Sequence, residues 1–203
     1  MKLLIATTNA GKVREYQTLL ADPDLPLTLL SLHDVGLQSM DVEESGDTLE
    51  ANASLKARAY AQASGLHVLA DDTGLFVDAL GGAPGVYPAR YGGPGLTMAQ
   101  RRAKLLGELS DTPNDKRSAR FMCVIAMGDP QTGGVQTVSG TCEGRIAMVD
   151  DDGGQGFGYD SLFIPQGYDM TWSYVPLDEK NRISHRGQAV QKLIPLLRSM
   201  IEA

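Results

Sequence analysis

Two adjacent carboxylates, Asp71 and Asp72, stand inside LADDTG, residues 69–74, where an apolar stretch meets a threonine and a glycine. Upstream, Glu43 and Glu44 lie in the acidic run DVEESGD. Such carboxylates suit a hard cation like Mg²⁺, which takes oxygen ligands and is often held by one or two protein carboxylates plus substrate phosphates. A carboxylate at the mouth of a strand is also fixed in direction, as a general base must be. If strand geometry persists through the pair, the two side chains point to opposite sides, and one faces a site while the other is capped or solvated. Each pair taken alone also reads as ordinary structure: a solvated loop for Glu43 and Glu44, and a turn capped through Thr73 for Asp71 and Asp72.

Three further stretches carry chemistry. TTNAGK, residues 7–12, sits between a strand and a helix, where backbone N–H groups and the positive end of the helix dipole suit a phosphate. Lys12 adds a point charge. It is not a Walker A loop, because Ala6 stands where the first glycine belongs and Val13 follows the lysine. In GQGFGYDSLF, glycines on both sides of Phe157 let the backbone approach a flat ligand, and Phe157 and Tyr159 are candidates to stack on a base. In DEKNRISHRGQA, residues 178–189, Lys180, His185 and Arg186 are three donors for an anion or a carbonyl oxygen, with Ser184 as a cap for the final helix.

The elements that must position these groups read as α/β. LLIAT (3–7) is a short strand, KVREYQTLLA (12–21) a helix with Val13, Tyr16, Leu19 and Leu20 on one face, and LTLLS (27–31) a second strand. This β-α-β opening implies parallel pairing. DTLE (47–50) resembles a capping box with Asp47 as cap, before an alanine-rich helix that stops at Gly65. LHVLA is then a strand, with ADDTG as its mouth. Residues 98–109 are helical, and 119–148 form an antiparallel hairpin about GDPQTGG. A final helix spans about 187–201, where Pro195 predicts a kink or interruption. The 203 residues suit one domain, 1–203, built as two lobes.

The formal net charge of −7 repels a nucleic-acid backbone and disfavours sequence-independent DNA or RNA binding. No stretch approaches the roughly 18 apolar residues of a membrane span. The two cysteines, Cys123 and Cys142, make no disulfide framework and read as reduced thiols, in keeping with a cytoplasmic protein.

Taken together and in this order, TTNAGKVRE, EESGDTLEANASLKA, ADDTGL with ALGGAPGVYPARY, FGYD and EKNRISHRGQA resemble the inosine triphosphate pyrophosphatase family, the dITP/XTP or non-standard purine nucleoside triphosphate pyrophosphatases. The resemblance spreads from residue 7 to residue 189. It implies an elongated, twisted mixed sheet flanked by helices, two lobes with a central substrate cleft, and a homodimer. It implies Mg²⁺-dependent hydrolysis of ITP, dITP and XTP to the monophosphate and pyrophosphate, which clears deaminated purines from the nucleotide pool. Carried over by position, Thr7, Thr8, Asn9, Ala10, Gly11 and Lys12 bind the triphosphate. Asp72 is the general base and a metal ligand, and Glu44 is the other ligand, with Glu43 as its alternative. Lys56 and Thr73 contact substrate. Phe157, Gly158, Tyr159 and Asp160 form the base pocket with Lys180, His185 and Arg186. Two departures, Thr8 in place of a common glycine and Trp172 in place of phenylalanine or alanine, touch none of the chemistry. Rival readings are a nucleotide pyrophosphatase of other base specificity, a non-catalytic nucleotide-binding module and, weakened by the missing Walker pattern, a P-loop kinase.

Overall fold

The structure is a computed structural model, and it describes residues 1–153 and 157–202. Gly156, one of the glycines flanking Phe157, lies outside the described residues together with Gly154 and Gln155.

The opening follows the β-α-β expectation. Strand β1 (Lys2–Ile5) leads into helix α1 (Ala10–Leu19) and then β2 (Thr28–Ser31), which pairs parallel with β1. Helix α2 (Leu49–Ser64) starts from Thr48, whose side chain accepts from the Ala51 amide at 3.1 Å. The cap is therefore Thr48 and not Asp47, one residue later than the sequence suggests. Glu50 does not close a capping box but accepts from the Thr137 hydroxyl at 2.8 Å. The helix ends as expected at Gly65, in the left-handed conformation that glycine adopts without penalty.

The next strand corrects the sequence reading most. Strand β3 runs unbroken from His67 to Val77, so Asp71 and Asp72 sit in mid-strand and not at its mouth. It pairs parallel with β1 and antiparallel with the short β4 (Pro84–Gly85). The apolar run does not end at the aspartates: Leu75 and Val77 beyond them are fully buried. Helix α3 (Met98–Glu108) has a true capping box between Thr97 and Gln100. Strands β5 (Ser118–Gly128) and β6 (Val135–Ile146) are neighbours, joined by a turn in which Asp129 accepts from the Gln131 amide at 2.8 Å. Strand β7 (Phe163–Pro165) pairs antiparallel with β6. The resulting mixed sheet has the order β2-β1-β3-β5-β6-β7. Helices α4 (Leu177–Ile183) and α5 (His185–Glu202) close the chain. Pro195 does not interrupt α5; burial of Ala189, Val190, Leu193 and Leu197 along one face holds the helix through it.

The chain divides into two compact units, Met1–Thr73 with Cys123–Gly140 and His185–Ala203, and Gly74–Met122 with Thr141–Ser184. In the first unit, Leu3 and Ile5 of β1, Leu69 of β3 and Cys123, Ile125 and Met127 of β5 bury against Tyr16 of α1, Leu20 just after it and the apolar face of α5. These are alternate residues of each strand, as a period of two requires. Close approach of α5 needs Gly140, where a Cβ would lie 2.1 Å from the His185 carbonyl oxygen. In the second unit, Leu75, Leu105, Phe121, Phe163 and Trp172 form a separate core, with the rings of Phe121 and Phe163 edge to face at 4.8 Å.

Candidate functional site

Strand alternation through Asp71 and Asp72 sends one carboxylate to each face of β3. Both are buried, at 3 % and 7 % exposure, so neither is solvated. Asp72 faces α2. Asn52, fully buried there, donates from Nδ2 to Asp72 Oδ2 at 3.3 Å, while its Oδ1 accepts the Gly46 amide at 2.8 Å. One turn further along α2, Lys56 uses its three N–H donors on Glu44 Oε1 (2.6 Å), the Asp71 carbonyl (2.7 Å) and Asp72 Oδ1 (3.2 Å). Positions 52 and 56 share a helix face because they are four residues apart. Burial lifts the Asp72 carboxyl above its ordinary range, against the pull of Lys56, and the nearby Glu44 charge lifts it further. For Lys56, burial works against the ammonium, but Asp72 and Asp71 outweigh it and raise the amine.

Asp71 faces α1 and α5. Its Oδ2 lies 2.8 Å from Lys12 Nζ and 3.6 Å from Arg186 Nη2, and it accepts from the Thr73 hydroxyl at 3.3 Å and the Cys123 thiol at 3.9 Å. Arg186 also pairs through Nη1 with Glu15 and lies 5.7 Å over the Tyr16 ring. Burial alone would raise the Asp71 carboxyl; Lys12 and Arg186 instead hold it well below the usual carboxylate range. Burial opposes the charged Arg186, and Asp71 more than restores it. Removing one partner of such a buried set costs about 3–5 kcal/mol, because an uncompensated charge stays behind.

The turn before α1 is built around Asn9. Its Oδ1 accepts from the Gly11 and Lys12 amides at 2.9 and 3.2 Å, and its own amide donates to Thr7 Oγ1 at 3.2 Å. Two of the amides the sequence offers to a phosphate are thus already satisfied by the cap. Thr8, Asn9 and Ala10 are exposed.

The FGYD stretch is held within the second unit. Asp160 Oδ2 accepts from the Phe157 amide at 2.8 Å and from Lys180 Nζ at 2.7 Å. Lys180 lies 5.6 Å from the Phe157 ring centre and 5.3 Å from that of Trp172. Arg102 pairs with Asp150 at 2.8 Å and donates to the Gly158 carbonyl at 3.1 Å. Of the two aromatics, Phe157 is exposed, whereas Tyr159 is buried and donates its hydroxyl to the Pro88 carbonyl at 2.9 Å. Lys180 and Arg186 are close in sequence, but the contacts of Lys180 lie in the second unit and those of Arg186 in the first, the division falling between Ser184 and His185. His185 is buried at the start of α5.

Sequence reading passed over Asn52, Glu15 and Arg102. Glu15 carried a usable signal: it stands three residues after Lys12 on the same helix face. Asn52 and Arg102 had none, since the carboxylates they meet, Asp72 and Asp150, lie 20 and 48 residues away in the chain.

Residues 3–196 match the profile of the Ham1 family. The chain is 45 % identical to the dITP/XTP pyrophosphatase of Exiguobacterium sibiricum, over 95 % of both chains. It is 46 % identical to that of Geobacter sulfurreducens, over 95 % of this chain and 94 % of the relative. Its fold resembles the solved structure of a HAM1 protein from Coxiella burnetii, with a TM-score of 0.86, 37 % identity and full coverage of both chains.

Proposed function

This chain belongs to the Ham1 family, and from that membership we infer that it hydrolyses non-standard purine nucleoside triphosphates, dITP and XTP among them, to the monophosphate and pyrophosphate. The observation that carries the chemistry is Asp72: a carboxylate buried in mid-strand, raised above its ordinary range, held by Asn52 and Lys56, with Glu44 on the same lysine.

A divalent cation fits this donor set. Glu44 Oε1 and Asp72 Oδ1 already converge on one cationic nitrogen, that of Lys56. Mg²⁺ is commonly held by one or two carboxylates with substrate phosphates completing the shell. Glu44 and Asp72 would hold it. When bound, it supplies a lowered water pKa and screens the carboxylates from the phosphates.

The chain's own residues do the rest. Asp72 accepts the proton of the water that attacks the α-phosphorus. The turn Thr7 to Lys12 binds the triphosphate, with the Lys12 and Lys56 ammonium groups and the start of α1 opposing its charge. Thr73 contacts substrate beside them. Phe157 supplies a flat exposed ring for the base, set by Gly158, Tyr159 and Asp160. One of Lys180, His185 and Arg186 donates to the 6-keto oxygen of hypoxanthine or xanthine, and single alanine variants of the three identify which by the loss of the ITP-over-ATP preference. An adenine amine would face like donors, and each unsatisfied buried group costs about 1–3 kcal/mol. The resemblance to the family also points to a homodimer and a cytoplasmic location. No helix among the described residues is long and apolar enough to cross a membrane.

The test is pyrophosphate release from ITP, XTP, dITP, ATP, GTP and TTP, with Mg²⁺ or EDTA, for the wild type and Asp72→Asn. Metal-dependent release from ITP, XTP and dITP, little from ATP and GTP, and collapse in Asp72→Asn is the expected result. Full activity in Asp72→Asn would sink the base assignment, and equal turnover of all purines would sink the account of base choice.

A further inference from the structure

We infer that Asp71 is a positioning residue that sets Lys12 and Arg186 jointly, so that the grip on the phosphates and the choice of base depend on one buried carboxylate. The inference rests on the roles given above to Lys12 and Arg186.

Asp71 lies on the face of β3 away from Asp72, the face it shares with Leu69 and that α1 and α5 cover. Lys12 comes from the first turn of α1 and Arg186 from the first turn of α5. Both cations meet the same oxygen, Asp71 Oδ2, at 2.8 and 3.6 Å. A carboxylate with a side chain only 1 % exposed is costly to bury unless it is paired. The two cations are therefore tied to one carboxylate on a strand, and to each other only through it.

Each cation keeps donors for a ligand. A lysine ammonium has three N–H groups, of which Asp71 engages one, and the Lys12 side chain stays 16 % exposed. Arg186 gives Nη1 to Glu15 and turns Nη2 to Thr73 Oγ1, at 3.5 Å, and to Asp71. Its Nε is buried with no hydrogen-bond partner among the described residues. A donor left over on an otherwise pinned guanidinium is what a substrate oxygen would complete. Two like charges held on one anion also respond to each other: loosening either one shifts the carboxylate that places the other.

The experiment measures pyrophosphate release from dITP and dATP by the full-length protein. For Asp71→Asn, the KM for dITP rises about tenfold and the dITP-over-dATP preference in kcat/KM falls about tenfold, the scale of losing one charge-assisted contact. The pH dependence of kcat keeps its wild-type shape, because Asp72 is untouched. A fall in kcat alone, with KM and preference unmoved, overturns the inference. If Asp71→Asn does not fold, Lys12→Met tests the same coupling from the more exposed end. It should shift the dITP-over-dATP preference severalfold although Lys12 is assigned to the phosphates, and an unchanged preference overturns the coupling. A wild type that turns over dATP as well as dITP defeats the base reading itself. A wild type that prefers dITP, with both variants keeping that preference, defeats this inference alone.

Discussion

Asn52→Ala should be far more damaging than its place on an alanine-rich helix suggests. The side chain is fully buried and bridges two groups distant in sequence, the Gly46 amide at 2.8 Å and Asp72 Oδ2 at 3.3 Å. Truncation leaves the Gly46 N–H without its acceptor, at about 1–3 kcal/mol, and removes a donor to a charged group, worth about 1 kcal/mol more at this length. The gain in helix propensity from Asn to Ala returns only about 0.7 kcal/mol or less. The net loss is about 1–3 kcal/mol, which lowers the melting temperature of a chain this size by roughly 2–12 °C. Because Asp72 loses a partner that fixes its orientation, kcat should also fall, about tenfold for each 1.4 kcal/mol of lost positioning. Urea unfolding by circular dichroism reads the first quantity, and pyrophosphate release from dITP reads the second. A variant within 0.5 kcal/mol of wild type in urea, by the usual spread of neutral surface changes, and with wild-type kcat would refute the bridging role.

Two further outcomes follow from packing and burial. Gly140→Ala places a Cβ 2.1 Å from the His185 carbonyl and 2.6 Å from the Ala189 amide, both backbone atoms, so α5 has to move. A loss of about 3 kcal/mol or more in urea is expected, at the upper end of overpacking effects, and a neutral result would show that α5 shifts freely. Burial pushes the Cys123 thiol up to about 11 and the Cys142 thiol up to about 12, whereas an unfolded thiol titrates near pH 8.5. Above that pH the unfolded chain binds fewer protons than the folded one, so stability falls as pH rises. The urea midpoint should drop between pH 8 and pH 10, and drop less in Cys123→Ala; an equal drop would locate the effect elsewhere.

The candidate site was legible as residue types: carboxylates, a lysine-bearing turn, an aromatic between glycines and a run of donors suit a phosphate and a flat ligand, and the resemblance, not any one stretch, joined them into one site. The β-α-β opening, the Gly65 stop and the hairpin around residues 129–134 were equally legible, because local periodicity and turn chemistry specify them. ADDTG resembles a strand's end because charge next to glycine is costly to bury, and nothing local announces the lysines and arginine that offset it. The cap at Thr48 differs by one residue in a purely local hydrogen bond, and α5 is not interrupted at Pro195, with Ala189, Val190, Leu193 and Leu197 buried along it.

By itself the sequence determined the alternation: two consecutive carboxylates on an extended backbone must face opposite ways. Only the tertiary structure decided what each face meets. α2 brings Asn52 and Lys56 to Asp72, while α1 and α5 bring Lys12 and Arg186 to Asp71. The physical reason is that a carboxylate's ionisation and direction are set by its neighbours within a few ångströms, and those neighbours are 16 to 115 residues away along the chain.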